Sequence, residues 1–203
     1  MAVCIGIAGG AGAGKSTLAQ LLAARMPASA AIIEHDWYYH DQAHLPFERR
    51  FDTNYDHPNA LDTELLIAQL GMLREGRAVE APRYDYTRHI RAAATHPIEP
   101  HAVYIVEGIH VLHEENLRRL FDLKVYLDLP ADLRFIRRLE RDIAQRGRTM
   151  QSVVEQYLRT VRPMHARYVE PARRHADIVV DEEDELPGVA ERLCARLAER
   201  TTP

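Results

Sequence analysis

Between an apolar run and a leucine-rich segment stand Gly9, Gly10, Ala11, Gly12, Ala13, Gly14, Lys15 and Ser16, with Thr17 next. The spacing is G-x-x-x-x-G-K-[ST]. Glycines accept positive φ and carry no side chain, so successive backbone N–H groups can close around a phosphate. The start of a following helix adds unpaired N–H donors and the positive end of its dipole. Lys15 supplies a cation for the β- and γ-phosphates, and the Ser16 hydroxyl can join a Mg²⁺ shell. A glycine turn that merely closes a strand–helix joint is the alternative reading, and the full motif in its strand–loop–helix context argues against it. The chemistry indicated is binding of a nucleoside triphosphate; what is done with it must come from elsewhere.

Two acids are placed to answer. Asp36 follows "AAIIEH" and Glu107 follows "VYIV", each at the end of an expected strand. Phosphoryl transfer needs a held metal, neutralised charge and an attacking oxygen aimed in line. Glu107 suits the metal, directly or through water. Asp36 could accept a proton from an attacking hydroxyl and also touch the metal shell. Capping a neighbouring turn is the plainer role for an isolated acid.

The segment "HDWYYHDQAHLPFERRFDTNYDHPNALD" is dense in His, Asp and Tyr. His35, His40, His44 and His57 match no zinc-ligand spacing, and a polar, aromatic wall for a hydroxylated substrate fits better. "PRYDYTRHIR" carries rings suited to a flat heterocycle, although a solvent-facing hairpin would look the same. Arg134, Arg138 and Arg141 recur at helical spacing, with Arg146 and Arg148 around Gly147. By itself such a stripe reads first as a solvent face paired with Asp132, Glu140 or Asp142. Folded over a triphosphate, it would instead neutralise developing charge.

These residues need elements to hold them. Ala2–Ala8 reads as a buried strand and Lys15–Met26 as a helix. Ala30–Asp36 reads as a second strand, and Asp62 as the cap of a helix bearing Leu66, Leu70 and Leu73 and stopped by Gly76. Val79–Tyr86 and Ala92–Ile98 suggest a β-hairpin excursion. "AVYIVEGI" and "DLKVYLDL" read as strands, with a short helix at Glu114–Leu120 between them. Ala131–Arg146 reads as a helix whose Phe135, Ile136, Leu139 and Ile143 share an apolar face. Apolar positions continue from Met150 to Tyr168, with a bend expected at Pro163. "ADIVV" supplies a last strand and Leu186–Arg200 a closing helix. Strands alternating with helices imply a parallel sheet covered on both faces, whose ligands gather at the carboxyl ends of the strands.

Composition sets the bounds. The 203 residues suffice for one domain with a real core, and 46% hydrophobic with 28% charged residues is an ordinary globular balance. A net charge of −4 favours neither nucleic acid nor anionic membrane as partner. Cys4 and Cys194 form no disulfide framework, which suits a reducing compartment. The first residues lack the basic stretch of a leader, and no apolar run reaches membrane-spanning length.

Together "IGIAGGAGAGKST", "HDWYY", "NYDHPNALD", "PRYDYTRHIR", "IVEGIHVL" and "DLKVYLDLPADLRFIRRLERDIAQRGR" with "VVEQYLRTVRPMH" resemble the uridine kinase (uridine–cytidine kinase) family of P-loop phosphotransferases, from Val3 to about Val180. The resemblance implies an α/β P-loop NTPase/nucleoside kinase fold in one domain, 1–203. Its parallel five-stranded sheet would be flanked by helices, with a substrate-binding hairpin at about 78–99 and a helical, arginine-bearing lid at about 138–165. It implies that uridine and cytidine are phosphorylated at the ribose 5′-hydroxyl by ATP or GTP with Mg²⁺, giving UMP or CMP in pyrimidine salvage. It further implies a cytoplasmic homotetramer with neither nucleic acid nor membrane as partner.

Carried over by residue, Asp36 resembles the general base, and Lys15, Arg138 and Arg141 complete the catalytic set. Ser16, Asp36 and Glu107 resemble the metal shell. Gly9, Gly10, Ala11, Gly12, Ala13, Gly14, Lys15, Ser16 and Thr17 would hold the donor together with Arg146. Asp56 would accept from the ribose 2′- and 3′-hydroxyls, and Tyr84 and His89 would meet the pyrimidine edge. Arg138, Arg148 and Gln156 would hold nucleoside and phosphate groups, with Tyr39 in the same pocket. A pocket walled by Tyr84 and His89 would be too small for purines. One departure stands out: after "ADIVV" the chain runs "DEEDELPG" where the family has a short proline- and glycine-bearing turn near the adenine, leaving ATP versus GTP open. The alternative is a related small-metabolite kinase, phosphoribulokinase-like or pantothenate kinase-like, which would share the glycine loop but not the Tyr84 and His89 pocket. A P-loop GTPase is disfavoured because no N-K-x-D guanine-reading motif occurs.

Overall fold

The computed structural model describes residues 2–26 and 30–201. The chain begins with β1 (Val3–Gly9), α1 (Lys15–Arg25) and β2 (Ala30–Glu34), then the short α2 (Phe47–Arg50) and α3 (Thr63–Arg74). Next come four short strands, β3 (Val79–Ala81), β4 (Tyr84–Asp85), β5 (Ile90–Arg91) and β6 (His96–Ile98). β7 (Val103–Glu107), α4 (Glu115–Arg118), β8 (Leu123–Leu127) and α5 (Ala131–Arg146) follow. α6 (Met150–Gln156), α7 (Arg162–Met164), β9 (Ile178–Val180) and α8 (Leu186–Thr201) complete the order.

Five strands form one parallel sheet in the order β2-β7-β1-β8-β9. The register pairs Ile7 with Glu107 and Glu34 with Glu107, so both glutamates and the glycine loop emerge at the same edge. Alternate residues of the strands feed two cores. On one face Ile5, Ile7 and Val125 pack with Leu18, Leu22 and Leu193 from α1 and α8. On the other, Tyr104, Val106 and Tyr126 pack with Leu66, Leu70 and Leu73 of α3. Burial on both faces explains why β1 and β7 read as nearly unbroken apolar runs. Asp62 caps α3 as its position suggests: its Oδ1 accepts the Leu65 N–H at 3.1 Å.

Several elements differ from their sequence reading. The second strand stops at Glu34, and His35–Tyr38 forms a 3₁₀ turn that carries Asp36 away from the sheet. The hairpin is interrupted into two antiparallel pairs, β3 with β6 and β4 with β5. Pro82 lies at the break and has no N–H for a ladder bond. The helix expected at Glu114–Leu120 is a single turn.

Pro163 does not break the chain's longest helical run. That run continues from Met150 to His175, with π turns at Tyr157–Val161 and His165–Val169 on either side of the proline-bearing α7. The wider turns absorb the missing N–H. The greatest reversal is α5. Arg134, Arg138 and Asp142 are buried, whereas Ile136 and Ile143 are 50% and 45% exposed. This amphipathic helix turns its charged face inward.

Candidate active site

A cleft of about 910 Å³ opens at the carboxyl edge of the sheet, beneath α5 and the helix that follows. Lys15, Ser16, Asp36, Tyr39, Asp56, Tyr84, His89 and Glu107 line it, as do Arg138, Arg141, Arg146, Arg148 and Gln156. Of the glycine loop, Ala11 and Gly12 reach the lining. Gly9, Gly10, Ala13 and Gly14 form the loop's remaining backbone, and Thr17 lies exposed on the first turn of α1.

At the loop, Gly12 has φ +86° and a Cβ there would run into the carbonyl oxygen of Arg134. A Cβ on Gly10 would meet the Arg134 guanidinium. The Arg134 backbone therefore dictates glycine at position 12, and its side chain crowds position 10. Arg134 is itself buried, donating through Nε to the Leu129 carbonyl at 2.9 Å and contacting His165 Nε2 at 3.1 Å. Lys15 is buried with its Nζ donating to the Gly10 carbonyl at 3.1 Å; burial lowers its pKa, opposed by Glu107 and Asp36. Ser16 donates its hydroxyl to Glu107 Oε1 at 2.6 Å.

Asp36 is recessed at the cleft floor. Burial, reinforced by Glu107, pushes its carboxyl pKa up to about 6, with Lys15 opposing. Glu34, a cleft residue that the sequence reading passes over, is also raised by burial and by Glu107 and Asp36. Among the described residues, no group of three His, Cys, Asp or Glu side chains is spaced to hold a metal unaided. A hydroxyl and one or two carboxylates are nevertheless the hard-oxygen set that Mg²⁺ takes when phosphate oxygens and water supply the rest.

The opposite wall is aromatic. Asp85 Oδ1 accepts from the N–H groups of Thr87 and Arg88 and from the Thr87 hydroxyl, building a turn that holds His89 at φ +54°. His89 stacks on Tyr55, ring centroids 4.9 Å apart, and meets Phe51 edge-on. Tyr84 packs against Tyr39 and Tyr86, with its hydroxyl buried beside Tyr55. Arg91 ties this excursion to the floor by donating to the carbonyls of Tyr39 and Tyr38 and to Asp62.

Asp56 lies between the two walls, 8% exposed. Burial raises its pKa, while the Thr160 hydroxyl and the charges of Arg138 and Arg148 hold it down. Its carbonyl accepts from His110 Nε2 at 2.9 Å.

Overhead, a fully buried Asp142 gathers four guanidinium groups. Arg141 lies at 2.9 Å, Arg146 at 3.4 Å, and Arg138 and Arg148 each at 3.6 Å. Gln156 Oε1 accepts from Arg138 at 2.9 Å and also from Arg148. One anion for four cations leaves the roof strongly positive above the glycine loop. The sequence reading makes Asp142 only a surface partner. Its i−4 and i+4 spacing to Arg138 and Arg146 is the available signal. Thr160, one turn beyond Gln156, escapes that reading altogether.

The comparisons fit this geometry. The model of the Phosphoribulokinase / Uridine kinase family matches residues 4–186. The chain is 52% identical to the uridine kinase of Macrococcus caseolyticus over 179 residues, 88% of this chain and 87% of that one. To the uridine kinase of Chloroflexus aggregans it is 48% identical, covering 96% and 94% of the two chains. Among solved structures, phosphoribulokinase from Rhodobacter spheroides superposes with a TM-score of 0.67 at 19% identity, over 89% of this chain and 70% of that one, a likeness of fold.

Proposed function

This chain is a kinase that belongs to the phosphoribulokinase/uridine kinase family, and from that premise we propose that it transfers the γ-phosphoryl group of ATP or GTP to the ribose 5′-hydroxyl of uridine and cytidine, yielding UMP or CMP for pyrimidine salvage. One observation carries the reading. A single cleft joins a phosphate-binding loop and its two acids to a buried carboxylate ringed by aromatic side chains.

In this reading Asp56 accepts from the ribose diol, and Tyr84 and His89 border the base, with Tyr39 behind them. A buried acceptor left half unpaired by a 2′-deoxy sugar is costly, which supports selection for ribonucleosides. The imidazole of His89 can donate or accept according to tautomer, so uracil O4 and cytosine N4–H₂ are both accommodated. Asp36 takes the proton of the 5′-hydroxyl while that oxygen bonds to the γ-phosphorus and the β–γ bridging bond breaks, leaving the nucleoside diphosphate. A carboxyl with a pKa near 6 is still ionised at neutral pH and more basic than an exposed one. Lys15 and the backbone of Gly9 to Thr17 hold the triphosphate, while Arg138, Arg141, Arg146 and Arg148 neutralise charge on the group in flight.

Ser16, Glu107 and Asp36 would hold Mg²⁺, whose chemistry is to neutralise and orient the donor's β- and γ-oxygens. Assembly as a cytoplasmic homotetramer belongs to the same proposal; among the described residues no helix is long and apolar enough to cross a membrane. Light scattering checks the assembly.

The test of function is a nucleoside scan with ATP and Mg²⁺. Uridine and cytidine should turn over, 2′-deoxynucleosides much less, and ribulose 5-phosphate or pantothenate not at all. Turnover of either of the last two, with none of the pyrimidine nucleosides, would overturn the assignment.

A further inference from the structure

We propose that Thr160 is a positioning residue that fixes the carboxylate of Asp56 for the sugar diol, an inference that rests on the nucleoside kinase reading. The Thr160 hydroxyl donates to Asp56 Oδ2 at 2.7 Å across 104 positions of sequence. The same hydroxyl lies 3.1 Å from the Gln156 carbonyl, but it has one proton, and the shorter contact to a charged acceptor claims it. Asp56 Oδ1 makes no hydrogen bond among the described residues.

A carboxylate turns readily about its terminal torsion, which has no sharp staggered wells. Two neighbouring hydroxyls, however, demand an acceptor plane in one orientation. Asp56 gains that orientation from both ends. His110 holds its backbone carbonyl, and Thr160 holds one oxygen. Threonine suits the task because its branched β-carbon leaves few χ1 states. The remaining lone pairs of both carboxylate oxygens stay available, since an ionised carboxylate can accept about four hydrogen bonds.

Thr160 sits in the π turn Tyr157–Val161, one turn past Gln156, which accepts from Arg138 and Arg148. One face of the lid helix thus addresses the arginines with one residue and the sugar acceptor with the next.

The test compares wild type, Thr160→Val and Thr160→Ser in steady-state kinetics with uridine and with 2′,3′-dideoxyuridine, which lacks the diol. Loss of a hydrogen bond to a charged acceptor should raise the uridine KM about tenfold while kcat and the ATP KM change by less than about twofold. Thr160→Ser, which keeps the hydroxyl, should recover wild-type KM. With dideoxyuridine, kcat/KM should be nearly the same for Thr160→Val and wild type, because there is no diol for Asp56 to meet. An unchanged uridine KM in Thr160→Val overturns the inference. So does an equal loss with both nucleosides, which would mark a general packing role. Wild-type protein that turns over no pyrimidine nucleoside would remove the underlying reading and this one with it.

Discussion

Asp36 concentrates the chemistry in one carboxyl. Exchange to Asn keeps the shape and removes the proton acceptor, so kcat should fall by roughly 10²- to 10⁴-fold while uridine still binds. Steady-state rates beside calorimetric titration check this; near-normal turnover would remove Asp36 from the proposed role. Its position after an apolar run was legible in the sequence. Its environment was not. The 3₁₀ turn at His35–Tyr38 presents it to the cleft near Glu107, and that turn is held by distant bonds, from Asp62 N–H to the Tyr38 carbonyl and from Arg91 to Tyr38 and Tyr39. A local pattern carries no sign of partners about 25 or 50 residues away. The Asp56 neighbourhood is the same case: its acid could be singled out through a resemblance, whereas Thr160 and His110 come to it only through tertiary folding.

At the scale of elements, the glycine loop and α5 contrast. The loop is written in its spacing, and its strain is local. Gly12→Ala forces a Cβ into φ +86° and onto the Arg134 carbonyl, so ATP affinity should be lost with the fold retained, by calorimetry and circular dichroism. Helix α5 is located to the residue by its periodicity, whereas which face turns inward is not. A charge stripe by itself reads as a solvent face, and only the resemblance places its arginines in the site, where four of them line the cleft. A buried carboxylate that collects Arg138, Arg141, Arg146 and Arg148 outweighs the burial of Ile136 and Ile143, which a pattern of apolar spacing does not reveal. Asp142→Ala should leave those cations uncompensated. Breaking such a buried partnership costs about 3 kcal/mol, measurable by urea unfolding, and the KM for ATP should rise with it. Stability and KM both unchanged would show that the cluster is held by something else.

The whole molecule answers to pH through imidazoles that the fold keeps neutral. His35 is 0% exposed and His110 2%, and burial lowers their pKa values to about 3 and about 4. An unfolded chain takes up these protons near pH 6.5, whereas the folded one does not, so unfolding binds protons below that point. The imidazole contribution should therefore hold above about pH 6.5 and decline as pH falls toward 4, by up to about 1.4 kcal/mol per pH unit for each. The buried Asp36 carboxyl, raised to about 6, takes up its proton earlier in the folded chain and opposes part of that decline. Urea midpoints from pH 7 to 4.5 test this, and His35→Asn should flatten the decline even if it lowers the plateau. A profile unaltered by that exchange would contradict it.

The face of the lid helix that bears Gln156 and Thr160 has a wider consequence. It answers to the arginines through one residue and to the sugar acceptor through the other, so any shift of this helix when one half of the cleft fills is felt in the other. Whatever factor a bound donor lends to the acceptor's affinity, the acceptor must return in equal measure, because the cycle of four states has to close.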